Sequence, residues 1–117
     1  MNIYAKGKNI QTYSFGRLFI QGEKIAEEIN IFIRRFYNGW DMSGYTFTIT
    51  GKTEGNEPVS QQLTPWQEGD NIKLIWRVLS SFTAVSGELS LELKAVGSDP
   101  ERIIKFNMPP VYVRKAE

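Results

Sequence analysis

Residues 28–52 read Glu-Ile-Asn-Ile-Phe-Ile-Arg-Arg-Phe-Tyr-Asn-Gly-Trp-Asp-Met-Ser-Gly-Tyr-Thr-Phe-Thr-Ile-Thr-Gly-Lys, and they decide the fold class. In the first arm, Ile29, Ile31 and Ile33 share one face while Asn30, Phe32 and Arg34 share the other, which is the period of a strand with one dry side. The return arm alternates Tyr45, Phe47 and Ile49 with Thr46, Thr48 and Thr50, a composition suited to strands and not to helices. Between them, Asn38-Gly39 tolerates positive φ, and Asp41-Met42-Ser43-Gly44 offers an Asx-type hydrogen bond and a flexible exit. These signals predict a hairpin over residues 28–52, each arm offering an apolar side that a second layer must cover.

Working outward, residues 1–12 have weak core content and are expected as an extended N-terminal arm, free to strap across a neighbour. The unit proper is expected over residues 13–113, with residues 114–117 as a solvated tail. Residues 13–20 read as the first strand and Gln21-Gly22-Glu23-Lys24 as its turn. Residues 25–28 enter the isoleucine ladder through a short loop. Residues 59–63 form a short edge strand closed by Thr64-Pro65, and residues 66–71 another turn. Further on, Ile72, Leu74, Trp76 and Val78 face inward, as do Leu89, Leu91, Leu93 and Ala95. A serine-capped helical turn is expected near Ser80-Ser81, and Gly97-Ser98-Asp99-Pro100 turns the chain into residues 102–106. Met108-Pro109-Pro110 interrupts that strand before Val111. The sum is an all-β chain of about 8–9 short strands, an antiparallel β-sandwich of immunoglobulin-like or jelly-roll-like kind, with a small β-barrel as the alternative packing.

Composition narrows the chemistry. A chain of 117 residues is one domain, and 14 lysines and arginines against 13 acids leave a net charge of +1, so no long-range field selects nucleic acid or a membrane surface. Histidine and cysteine are both absent, which removes the commonest general base, the commonest transition-metal ligand and the thiolate nucleophile. The serines sit in turns (Ser43, Ser86, Ser98) or on a wet strand face (Ser90), with no Ser-x-x-Lys spacing. Glu23, Asp41, Glu68 and Asp70 each lie beside turn residues, so no carboxylate pair is set up for acid–base work. Asp70-Asn71 and Asp99 are isolated oxygen ligands, too few for calcium. The expectation is a non-enzymatic protein with no cofactor and no metal. No apolar run approaches the roughly 20 residues of a membrane helix, and the first residues lack a secretion-type apolar core, which points to assembly in a cytoplasm and weakens an extracellular adhesion domain.

The aromatics carry the remaining signal. Trp76 belongs to the core by its strand face, whereas Trp40 and Trp66 fall in connections, where they either plug the ends of the sandwich or stack on a ligand with Tyr37 or Tyr45. Partner contacts are therefore assigned to Trp40, Trp66, Tyr37 and Tyr45, a glycan being the alternative ligand.

The order strand, Gln21-Gly22-Glu23, isoleucine-rich strand, Asp41-Met42-Ser43-Gly44-Tyr45-Thr46, then Gly51-Lys52 resembles the N-terminal β-sandwich domain of phage baseplate upper proteins and related siphophage tail proteins. Ser86-Gly87-Glu88-Leu89 matches the small-residue-Gly turn that opens a late strand in that family, and the likeness spans residues 13–113. Glu23 stands where the family usually has aspartate, residues 66–71 have no counterpart, and the chain stops where family members continue into a linker. What the resemblance implies is a virion structural protein assembled in the host cytoplasm, a homo-oligomeric adaptor touching other tail or baseplate proteins. It implies no catalytic residues.

Overall fold

The computed structural model describes residues 1–25, 27–99 and 101–116. Ala26, Pro100 and Glu117, which belong to the loop, turn and tail expected above, lie outside them. Among the described residues are nine strands: β1 (Asn2–Tyr4), β2 (Ile29–Arg34), β3 (Phe36–Tyr37), β4 (Trp40–Asp41), β5 (Thr46–Lys52), β6 (Pro58–Glu68), β7 (Asn71–Trp76), β8 (Gly87–Val96) and β9 (Ile103–Val113). A single helical turn, α1 (Tyr13–Gly16), and a 3-10 turn at Ser80–Thr83 complete the secondary structure. Seven strands form one curled sheet in the order β1-β2-β7-β6-β5-β8-β9, and β3 and β4 make a separate ribbon. Neighbours are antiparallel except β1, which runs parallel to β2.

The hairpin expected over residues 28–52 does not form. β2 pairs with β1 and β7, whereas β5 pairs with β6 and β8. Only the connection between them is a hairpin, β3–β4, closed by positive φ at Asn38 (48°) and Gly39 (82°), the two-residue geometry that Asn-Gly favours. Alternation assigns each arm a buried face and says nothing of its partner. The arms were free to enter opposite halves of the sheet and to meet across the core, where Ile29, Ile31 and Ile33 join Phe47 and Ile49 in one buried cluster.

The halves are joined by β6, which was expected as a short edge strand followed by a turn. Instead it runs through the middle of the sheet: residues 58–63 pair with β5 and residues 64–68 with β7. Pro65 is admissible because it lies past the last β5 pairing, where one side of the strand asks for no donor. Gln61 stitches the corner. Its Nε2 donates to the Arg77 carbonyl (2.7 Å), and its Oε1 accepts from Trp76 Nε1 (3.1 Å) and the Leu79 N–H (3.2 Å).

Residues 13–20 were expected as a strand and instead hold α1, followed by a single bridge between Ile20 and Arg114. Phe15 and Phe19, four apart, both reach Trp76, at ring-centroid distances of 5.8 and 6.0 Å. α1 and the turn bonds that follow it, Leu18 N–H to the Phe15 carbonyl and Phe19 N–H to the Gly16 carbonyl, bring the two rings to one side, and the gain of closing the aromatic cluster outweighs strand propensity. The expected turn near Ser80 is present, but Leu79 occupies the cap position and no side chain caps it. The inward faces of β7 and β8 are those expected, with Ile72, Leu74, Trp76, Leu89, Leu91, Leu93 and Ala95 buried.

β9 is not broken at its prolines. Leu91 faces Met108 and Leu89 faces Val111, so Ser90 alone opposes Pro109 and Pro110 in a bulge. The extra residue resets the alternation, letting Ile104, Phe106 and Met108 on one side of it, and Val111 and Val113 on the other, all point inward. Residues 1–12 lie on their own sheet and put Ile3 and Ile10 into its core: β1 joins β2, the chain reverses in a turn between Lys6 and Asn9, and the next residues reach the opposite edge, where Ile10 N–H donates to the Asn107 carbonyl (2.8 Å) and Asn107 N–H to the Lys8 carbonyl (2.7 Å). One short segment thus ties the two outer strands of the curled sheet together.

Candidate functional site

Two of the four aromatics singled out from the sequence meet on the ribbon, where Tyr37 sits directly opposite Trp40. Each ribbon ring is covered by a cation from its own chain: Lys8 Nζ lies 5.2 Å from the Tyr37 centroid, Arg102 Cζ 5.1 Å from Trp40, and Arg35 Cζ 5.0 Å from Phe36. Such contacts are worth about 0.5–1 kcal/mol when exposed, and each covers one face of its ring. The ribbon's base is a fork. Arg35 Nε and Nη2 donate to Asp41 Oδ1 (3.0 Å) and Oδ2 (2.8 Å), and the Ser43 N–H donates to Oδ1 (3.0 Å), the Asx turn expected from Asp-x-Ser.

The hydrogen bonds from Arg35, then that from the Ser43 N–H, hold the Asp41 carboxyl well below the usual range, while Asp41 raises the Arg35 guanidinium in turn. A carboxyl whose folded pKa lies below its unfolded one adds stability above the unfolded value and loses it as pH falls through the folded one. Asp41 is therefore expected to remain ionised at about pH 3, below the ordinary aspartate pKa, in a carboxyl-carbon NMR titration. Titration near the ordinary value would mean that the fork is open in solution.

Trp66 and Tyr45 do not join that ribbon pairing. Trp66 lies on β6 opposite Lys73, not in a turn, and is 59% exposed. Tyr45 is buried, its hydroxyl without a hydrogen-bond partner, and its ring crowds Gly97, where a Cβ would stand 2.9 Å from Tyr45 Cζ. It is a core residue, and its burial closes it to a partner, contrary to its assignment from the sequence.

A longer hollow surface lies elsewhere, along β9. A groove of about 580 Å³ runs between Tyr4, Ile10, Tyr13 and the Met108-Pro109-Pro110 bulge. A second hollow of about 530 Å³ shares Tyr13 and both prolines and continues it to Tyr112 and Arg114. Tyr4, Tyr13 and Tyr112 are 60%, 83% and 66% exposed. Tyr4 is set in place by stacking on Phe32 at 4.6 Å and 14°. Arg114 Nη2 donates to the Arg17 carbonyl at 2.7 Å, which holds its guanidinium at the far end. Lys6, Arg17 and Arg114 supply charge, and neither lining contains an aspartate or glutamate. Tyr4 lies in the N-terminal stretch and Tyr13 and Tyr112 in stretches of strand composition, so nothing local marks them as neighbours. The signal was there in Pro109-Pro110, a donor-free stretch beside the outward-facing Tyr112.

A further hollow of about 690 Å³ lies by Ile25, Val78 and Leu79, where Arg77 Nη2 and Glu28 Oε2 are 2.5 Å apart. No group of three or more acidic side chains that would hold a metal ion occurs among the described residues. No known protein-family model matches the chain, and no curated protein matches it significantly.

Proposed function

We propose that this chain is a non-enzymatic structural module of a phage or prophage tail or baseplate, an oligomeric adaptor in the virion that binds neighbouring proteins by surface shape. In this proposal the two halves of the curled sheet serve as the layers of a sandwich. The observation that carries it is the β9 groove, whose apolar, aromatic, amide and cationic lining suits recognition of a partner. The turn-and-strand likeness over residues 13–113 supplies the virion context. Light scattering and native mass spectrometry, alone and with adjacent tail proteins, are expected to show a homo-oligomer or a stoichiometric particle. A strictly monomeric protein that joins no particle would sink the proposal.

A carbohydrate-binding module is the second reading, favoured by Trp66 and Trp40, which leave 59% and 38% of their surface exposed. A glycan array separates the two: specific binding lost in Trp66→Ala or Trp40→Ala, with the fold intact, selects the carbohydrate.

A further inference from the structure

The geometry points to the β9 groove as the docking site for an extended, proline-rich, acidic segment of a partner protein. This deepens the adaptor proposal and rests on it in taking a protein as the partner.

Strand addition is the first mode to consider at a sheet edge, and β9 refuses it. Its edge is already taken at Asn107 by residues 8–10, and at Arg114, whose N–H donates to the Phe19 carbonyl and whose carbonyl accepts from the Gln21 N–H. Between these points Pro109 and Pro110 have no N–H to give. A partner must therefore dock through side chains. Tyrosine rings standing in a groove floored by the exposed Pro109 and Pro110 are the surface on which a polyproline II ridge packs, since that helix is already extended and loses little entropy on binding.

Hydrogen-bond polarity and charge select the sequence of the segment. The lining offers amides at Asn9 and Asn107, which both donate and accept, and donor-only cations at Lys6, Arg17 and Arg114, with no carboxylate. The chain as a whole balances 14 bases with 13 acids, so this stretch is locally segregated. Donor-rich walls fit a ligand rich in acceptors. A proline-rich backbone presents carbonyls and few N–H groups, and acidic side chains complete the match with the cations.

Fluorescence anisotropy with labelled (Pro-Pro-Glu)3 tests this on the full chain. Saturable binding is expected, at least about tenfold weaker in Tyr13→Ala and again in Tyr112→Ala, about tenfold weaker for (Pro-Pro-Lys)3, and weakened by added salt. Both tyrosines are largely exposed, so circular dichroism should match the wild type, and either variant alone suffices if the other misfolds. Equal binding of (Gly-Ser-Glu)3 would show attraction by charge alone and overturn the proposal, as would unchanged affinity in both tyrosine variants. Binding of an acidic oligosaccharide such as oligogalacturonate, with no binding of the peptide, would overturn it in favour of a sugar. Particle formation without peptide binding refutes the groove assignment alone. Peptide binding by a chain that joins no particle upholds the groove and refutes the adaptor.

Discussion

Trp76→Ala is expected to destabilise the fold by about 4 kcal/mol and to lower the thermal midpoint by roughly 15 °C. Trp76 is fully buried and stands at the meeting point of elements distant in sequence. Phe15 and Phe82 approach it edge-on at 5.8 and 5.5 Å, and Phe19 tilts against it at 6.0 Å. Removing the indole leaves a cavity bounded by rings held by α1, the segment just after it and the 3-10 turn, and these cannot all move inward together. For a domain of this size, whose net stability is about 5–15 kcal/mol, the loss is a large share of the whole. Trp76→Phe keeps most of the packing and gives up the bond to Gln61 Oε1, which still accepts from the Leu79 N–H. Its expected cost is about 1–2 kcal/mol. Urea unfolding followed by circular dichroism measures both, and an alanine variant losing less than about 1.5 kcal/mol would mean that the aromatic cluster collapses around the gap.

Gly51→Ala should cost about 3 kcal/mol, against the direction of intrinsic preference. In an ordinary strand, replacing glycine by alanine helps by roughly 0.5–1 kcal/mol through backbone entropy. Gly51, however, lies between β6 and β8, paired with Val59 on one side and Leu91 on the other, and a Cβ built there would stand 2.2 Å from the Ser90 carbonyl oxygen. The obstacle is backbone, so the sheet must part where β5 meets β8. Ser90 is also the residue that faces the Pro109-Pro110 bulge, so the strain falls on the element that shapes the groove. Gly44→Ala serves as the control: nothing lies within 4 Å of the position its Cβ would take, and the change is expected to stay within about 0.5 kcal/mol. A Gly51→Ala protein as stable as the wild type would contradict the β5–β8 register.

Much of the candidate surface was hard to read from the chain because solvent exposure is a property of packing. Trp40, which the sequence left between an end plug and a ligand contact, lies on the ribbon outside the core and is covered by Arg102, a residue 62 positions away. Tyr45 follows the same kind of turn and is buried. Tyr4, Tyr13 and Tyr112 come from three separate stretches, and only the closure of residues 8–10 onto Asn107 places them beside one groove.

What the amino-acid order determined by itself was local. Alternation set which side of β2, β5, β7 and β8 is dry, Asn38-Gly39 made the tight turn, and Asp41 capped Ser43, because each of these depends on bond rotations and neighbours a few residues apart. Strand partners were settled in three dimensions. β2 chose β7 over β5, β6 passed through the sheet's interior, and residues 13–19 coiled through α1 and the turn after it to bring Phe15 and Phe19 to Trp76. A period-two pattern carries a face and no address, so the pairing that buries the most apolar surface around a shared core decides among sequences that look locally alike.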